Sequence, residues 1–264
     1  LAPFRHRFRR HLWQDARRGG VVIDLLMTWA HHPLGHVAIL SIAGFFGNLA
    51  LSTLSYLVFF VWWKDRYNEG FVPDWGKQRS AILWTGIGTL GNAVLMTPFD
   101  LAVMNGSSKM YWDVAEHGWL WIGVSALLML VVTETAVYWI HRALHERHLF
   151  KHFHSRHHSW REPTPFVGVA FHPIDSFAQA FPTHVCAFLF PVHGLLYLGW
   201  LITLMVWAVA IHDRVSFVRF GWLNYTGHHS VHHFFNNYNF GQYTTFWDRW
   251  MGTHRAPTDR FLRP

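Results

Sequence analysis

The chain has 264 residues, of which 51% are hydrophobic and 18% aromatic, while only 14% are charged. That profile is unlike a soluble enzyme and fits a membrane protein with Trp and Tyr at its interfaces. The formal net charge of +7 suits loops facing anionic lipid; the basic residues are scattered and match no nucleic-acid-binding fold motif, so no nucleic-acid partner is expected.

Residues 1–20 are basic, with Arg5, Arg7, Arg9, Arg10, Arg17 and Arg18. They lack the apolar core and small-residue cleavage site of a secretory signal. Val21 to Ala30 is apolar but short and interrupted by Asp24, which predicts a segment lying on the membrane surface. Residues 1–33 thus read as a basic N-terminal segment with an interfacial helix, and 34–264 as one membrane domain.

Leu34 to Trp63 contains no acidic or basic side chain and is closed by Lys64-Asp65-Arg66, the pattern of a first span. Gly44, Gly47 and Asn48 inside it leave a re-entrant hairpin open as the alternative. Ala81 to Met104 is the second span, with Pro98 and Asp100 predicting a kinked or external last turn. Trp119 to Ile140 is the third and carries Glu134. Between Phe177 and Ile211 two apolar pieces are broken around Pro191-Val192-His193-Gly194, which predicts a hairpin that goes in and comes back. The lone Cys186 lies there and reads as a small buried thiol, with no intrachain disulfide possible. From His212 onward the chain is too polar to span.

The loop from Lys64 to Arg79 holds Lys64, Arg66, Lys77 and Arg79, whereas the loop after Met104 has Lys109 against Asp113 and Glu116. Charge bias therefore predicts the first loop on the cytoplasmic side, the second outside, and the histidine-rich segments cytoplasmic again. The fold class expected is an all-α integral membrane protein: a transmembrane helix bundle with a cytoplasmic histidine-rich helical cap.

Histidine is the informative residue. His141 and His145 follow the third span at i and i+4, one turn apart on a helix face. His154, His157 and His158 repeat that logic at i, i+3 and i+4, and His229, His232 and His233 copy it some seventy residues on. With 22 histidines in the chain, one H-x-x-x-H pair is unremarkable, but chance gives roughly 0.15 H-x-x-H-H boxes. Neutral imidazole is the commonest nitrogen ligand of transition metals. Eight histidines on three short helical faces can enclose two metal ions, and the lack of a nearby cysteine argues against a closed thiolate zinc site.

At these residues the sequence resembles the fatty acid hydroxylase/sterol desaturase superfamily, membrane di-iron enzymes with HxxxH, HxxHH and HxxHH boxes. Within it the chain looks most like the sterol C5-desaturases. The closer likeness is carried by Pro163-Thr164-Pro165-Phe166, Ala170-Phe171-His172-Pro173-Ile174-Asp175, and the tail from Asn237 to Arg249. It runs from about Thr133 to Thr253; the usual Gly-Gly-Ser after Trp-Asp-Arg is here Trp250-Met251-Gly252-Thr253.

The resemblance implies two irons held by His141, His145, His154, His157, His158, His229, His232 and His233, with His212 as a ninth ligand; zinc can replace iron in purified protein. His172 precedes a proline, which favours extended backbone, and stands as ligand, supporting group or turn residue. Glu134 lies two turns before His141; a carboxylate within a span is by default a functional group, here expected to orient an imidazole, with Tyr138 sharing its network. Asp213 and Asp175 suit the same orienting role, and Asp248 and Arg249 are expected to pair. The family chemistry implies O₂ and electrons from NAD(P)H through cytochrome b5 or a ferredoxin, a separate protein because no such domain is fused. The implied reaction is C5–C6 desaturation of a Δ7-sterol, in the endoplasmic reticulum or a bacterial inner membrane, with the active site on the cytoplasmic face. The alternative within the superfamily is hydroxylation of another fatty or isoprenoid lipid. From other classes, a metal carrier would thread polar residues through several spans, and a structural membrane protein would not need two H-x-x-H-H boxes.

Overall fold

The structure, a computed structural model, describes residues 21–262; the arginine-rich segment 1–20 lies outside the described residues. The first helix, α1 (Val21–His31), covers the short apolar run. Pro33, favourable in a first helical turn, opens α2 (Pro33–Tyr56), and a widened turn over Leu57–Trp62 carries it on without a break. Pro33–Trp62 is therefore one continuous span and not a re-entrant hairpin: Gly44 and Gly47 are helical and serve packing, Gly44 lying against Thr89.

The second span, α3 (Trp75–Met104), starts earlier than its apolar run because Asp74 caps it, accepting from the Lys77 N–H at 3.1 Å. Pro98 sits inside α3 without ending it. The third, α4 (Gly118–Leu144), begins at Gly118, whose left-handed φ of 78° suits glycine, and runs one turn past the apolar stretch to carry His141. All three are long and apolar enough to cross a membrane, and large side chains such as Leu54, Leu83, Leu90, Leu127 and Val131 point outward from them. The expected hairpin is α5 (Pro173–Leu189) and α6 (Gly194–Ala210). The polar remainder adds α7 (Thr226–Phe235) and α8 (Phe246–Trp250).

The two ends of the bundle are distinct. At one, the Trp160 indole donates to the Lys77 carbonyl at 3.3 Å and the Thr164 hydroxyl to Gln78 at 2.8 Å, so the Lys64–Arg79 loop shares an end with the histidine boxes. At the other, the loop after α3 joins the α5–α6 turn: β1 (Met110–Tyr111) pairs in parallel with β2 (Val192–His193). Besides this small sheet, the described residues hold one isolated antiparallel bridge, between Leu223 and Thr244.

Close approach at two glycines of α3 positions the site. A Cβ on Gly88 would sit 2.7 Å from the Phe171 carbonyl, and one on Gly91 would overlap Pro173. The segment after the second box is thereby pressed onto the membrane helices, and the Phe171 ring lies 4.3 Å from that of His157.

Candidate metal centre

Three local structures present the histidines. His141 stands on the last turn of α4 and His145 is the residue that ends it. The second box is not a regular α-helix: His154 closes a widened turn in which the Ser155 N–H reaches the Phe150 carbonyl at 2.7 Å, and His157 and His158 form a tight turn. His229, His232 and His233 lie on α7.

The rings sort into two groups whose nearest ligand atoms lie within 4.8 Å of one another: His141, His145, His154, His158 and His232 in one, His157, His212, His229 and His233 in the other. Each H-x-x-H-H box is split between them. On α7 the i and i+4 pair, His229 and His233, faces the four-histidine group, while His232 is rotated by about 100° and faces the other. Two sets of nitrogens thus sit side by side.

Protein acceptors fix the tautomers of five rings. Nδ1 of His141 lies 3.0 Å from the Phe240 carbonyl, that of His154 2.7 Å from the Asp175 carboxylate, and that of His212 2.6 Å from the Ala208 carbonyl. Nδ1 of His232 lies 2.7 Å from the Tyr238 carbonyl and that of His233 3.1 Å from the Trp160 carbonyl. An Nδ1–H that donates leaves Nε2 as a bare lone pair. Yet Nε2 of His141 and of His154 face each other at 3.2 Å, and Nε2 of His212 and of His233 at 3.1 Å. Two lone pairs at that distance repel. Nε2 of His145 and of His232 are buried with no partner among the described residues.

Protonation does not relieve this. Burial first, with neighbouring imidazoles second, pushes His157, His158, His229, His232 and His233 well below the ordinary histidine pKa. Burial holds His212 down at about 4 and lowers His145. Neutral imidazoles with converging lone pairs are the donor set of a cation, and nitrogen-only ligation suits a transition metal. The residues fit a metal pair.

His172, expected near the metal, is not in either group. It precedes α5 in extended backbone (φ −65°, ψ 146°) and its Nδ1 accepts the Ile174 N–H at 3.2 Å, a helix cap. Asp175 does take the orienting role, its second oxygen held by Gln179 at 2.7 Å. Glu134 does not touch an imidazole. Its carboxylate accepts from the Tyr243 N–H at 2.8 Å, the Thr244 N–H at 3.0 Å and the Thr244 hydroxyl at 2.8 Å, and so pins the loop whose Tyr238 and Phe240 carbonyls hold His232 and His141. Tyr138 belongs to another network: its hydroxyl meets Thr253 at 3.0 Å and Arg142 at 3.1 Å. Asp213 accepts the Val215 N–H at 2.9 Å as a turn residue, and burial pushes its pKa up to about 8. Asp248 and Arg249 do not pair; Asp248 holds the Phe240 and Gly241 N–H groups at 2.8 Å each, and Arg249 binds Thr245 and the Gly221 carbonyl. His36, outside the boxes, is buried with Nε2 3.5 Å from Asp100.

A cavity of about 390 Å³ ends on His141, His157, His212 and His229. It runs between α2, α3, α5 and α6, walled largely by apolar side chains such as Leu40, Met96, Leu201, Leu204 and Met205.

The family model described as fatty acid hydroxylase matches residues 126–253. The Delta(7)-sterol 5(6)-desaturase ERG3B of Gibberella zeae is 35% identical over 230 residues, 83% of this chain and 69% of that protein. The lathosterol oxidase of Rattus norvegicus is 42% identical over 163 residues, 60% of this chain and 54% of that protein, and that of Homo sapiens 40% over 171 residues, 63% and 57%. The matches thus span little more than half the length of these two mammalian relatives. No solved structure matches the chain. With its histidine boxes, its membrane helices and a relative matched over most of both sequences, the chain belongs to the fatty acid hydroxylase/sterol desaturase family.

Proposed function

We propose that the nine gathered histidines hold two iron ions and that the chain desaturates a Δ7-sterol between C5 and C6. The observation that carries this reading is the apolar cavity ending on converging imidazole lone pairs, in a chain similar to Delta(7)-sterol 5(6)-desaturases. When bound, the metal pair supplies an oxidant, drawn from O₂ and donated electrons, that removes hydrogen from unactivated carbon. In balance, the sterol loses two hydrogens with their electrons, the donor gives two more electrons, and O₂ leaves as two waters after two protons are taken up. The protein's own part is positioning. Phe171 and the apolar side chains of α2, α3 and α6 hold a flat ring system against the histidine end and keep bulk water from it. A fused-ring lipid loses less freedom there than a flexible acyl chain. Two neighbouring C–H bonds can then be presented together, which desaturation requires and hydroxylation does not.

Supplied with a Δ7-sterol, O₂ and a reductant, the protein is expected to yield a Δ5,7-diene, detected by its ultraviolet absorption in extracts of a sterol-desaturase-deficient host. A hydroxylated lipid without diene would support the second reading, a lipid hydroxylase, which the fatty acid hydroxylase match favours. Electrons would come from NAD(P)H through a separate cytochrome b5 or ferredoxin. The exposed Arg147, Lys151, Arg156 and Arg161 beside the second box would suit an acidic donor.

Asp175 gives a graded test of the orienting shell. Asp175→Asn is expected to weaken metal binding about 10–100-fold, measured by competition with a chelator. Unchanged affinity would mean that His154 needs no carboxylate to set its tautomer. The membrane placement is tested by accessibility tags: Ser155 and Ser230 should report the cytoplasmic face of the endoplasmic reticulum or bacterial inner membrane, and Ser107 the opposite one. Tags at Ser155 and Ser230 on different faces would exclude a shared metal site.

A further inference from the structure

Two amides on the cavity wall each keep a buried atom without a partner among the described residues: Nδ2 of the buried Asn48, and Oδ1 of the half-buried Asn92 on α3. Asn48, in the middle of α2, lines the cavity and is 2% exposed. Its Oδ1 lies 3.3 Å from the Ser52 hydroxyl, which also reaches the Pro165 carbonyl at 3.0 Å, and its Nδ2 bonds to nothing among the described residues. Exchanging the amide's oxygen and nitrogen only changes which atom is left over. A buried amide atom without a partner is rare, and one on a ligand cavity points to a ligand. Gln179, another amide lining the cavity, is already engaged with Asp175.

Asn48 stands at the histidine end. Gly44 packs against Thr89, so Asn48, one turn on, lies level with Thr85, whose hydroxyl reaches the Phe166 carbonyl at 3.3 Å. In that same segment a Cβ on Gly168 would lie 2.9 Å from the Ala208 carbonyl, the group that holds His212. The other polar end of the cavity is remote. There Asp100 lies 3.1 Å from His184, whose Nδ1 also meets the Tyr197 hydroxyl at 2.7 Å. His184 is nine residues along α5 from Asp175, about 13 Å at the helical rise.

A sterol cannot use both ends in the same way. Its 3-hydroxyl is attached two carbons from C5, on a ring system that does not bend. With C5 and C6 at the histidines, the hydroxyl must lie beside them, and the alkyl side chain must extend toward Asp100 and His184. Building on the sterol reading, we propose that Asn48 binds the substrate's 3-hydroxyl and so sets which ring faces the metal centre. The hydroxyl offers both a hydrogen and lone pairs, so it satisfies whichever amide atom Ser52 leaves free.

The test compares a Δ7-sterol with its 3-O-methyl and 3-deoxy analogues, using the full-length protein in membranes with a competent donor. Asn48→Leu is expected to lower kcat/KM for the free sterol about ten-fold, the share of one hydrogen bond. It should change turnover of the 3-deoxy analogue far less, and Asn48→Ser should restore part of the loss. An equal loss on both substrates would make Asn48 merely structural and overturn the proposal. So would a dependence on the 3-hydroxyl that disappears in Asp100→Asn or Asn92→Leu but persists in Asn48→Leu. If Asn48→Leu fails to accumulate, Asn48→Ser alone decides through the same substrate ratio. Absence of diene from every Δ7-sterol with the unaltered protein is a different result, and it defeats the sterol reading itself.

Discussion

His232→Ala and His158→Ala are each expected to abolish turnover while the protein still inserts into the membrane. Both side chains belong to the five-histidine group, and each is buried among other imidazoles with no solvent to replace it. Alanine removes a ligand and leaves a small void that no other ligand fills, because the rings of His141 and His154 beside it are tied by Nδ1 to the Phe240 carbonyl and to Asp175. His229→Ala tests the second group, where loss of one nitrogen leaves three. There the metal content should fall from about two ions per chain to about one, measured on protein prepared with iron. Zinc in a purified sample does not decide the matter, since it occupies the same nitrogens. Full activity in any of the three variants would dissolve the assignment of these histidines to a metal centre.

That these histidines gather was legible because their spacing repeats in three regular boxes. The spans were legible too, since a lipid environment leaves long apolar runs. Their ends were less so: α3 begins at Trp75 because one aspartate caps it, and Pro98 does not stop a helix whose neighbours support it. The split of each H-x-x-H-H box between two groups follows from helical rotation on α7. In the second box it depends on a widened turn that no residue type announces. Most of the groups that fix the tautomers are backbone carbonyls at Trp160, Ala208, Tyr238 and Phe240. Every residue has a carbonyl, so the sequence carries no mark of which ones matter. His172 shows the converse: a histidine beside the boxes, placed by His-Pro geometry to cap a helix. The polar partners of Asn48 and of His36 likewise depend on which helices meet, and that is fixed only by three-dimensional packing.

Glu134→Ala is expected to lower activity through backbone it never shares with a ligand. The glutamate is 5% exposed and accepts three hydrogen bonds, all from Tyr243 and Thr244. Removing it leaves two buried N–H groups and a hydroxyl without acceptors, a cost of about 3–5 kcal/mol if the loop does not rearrange. The loop can escape part of that cost by moving, and movement is what the site cannot tolerate. Asp248 holds the Phe240 and Gly241 N–H groups from the other side, so the two carboxylates clamp one short stretch between them. Its Phe240 carbonyl sets His141, and the adjoining Tyr238 carbonyl sets His232. Glu134→Gln keeps the shape but turns one acceptor into a donor facing an N–H, so it should behave more like Glu134→Ala than like the unaltered protein. The expected signature is a lower melting temperature together with weaker metal binding in both variants, by thermal unfolding in detergent and chelator competition. A variant that melts early yet binds metal at full strength would show that the loop is held for stability alone. A variant with normal stability and normal metal affinity but lost turnover would instead return Glu134 to the reacting centre, as its place in the third span first suggested.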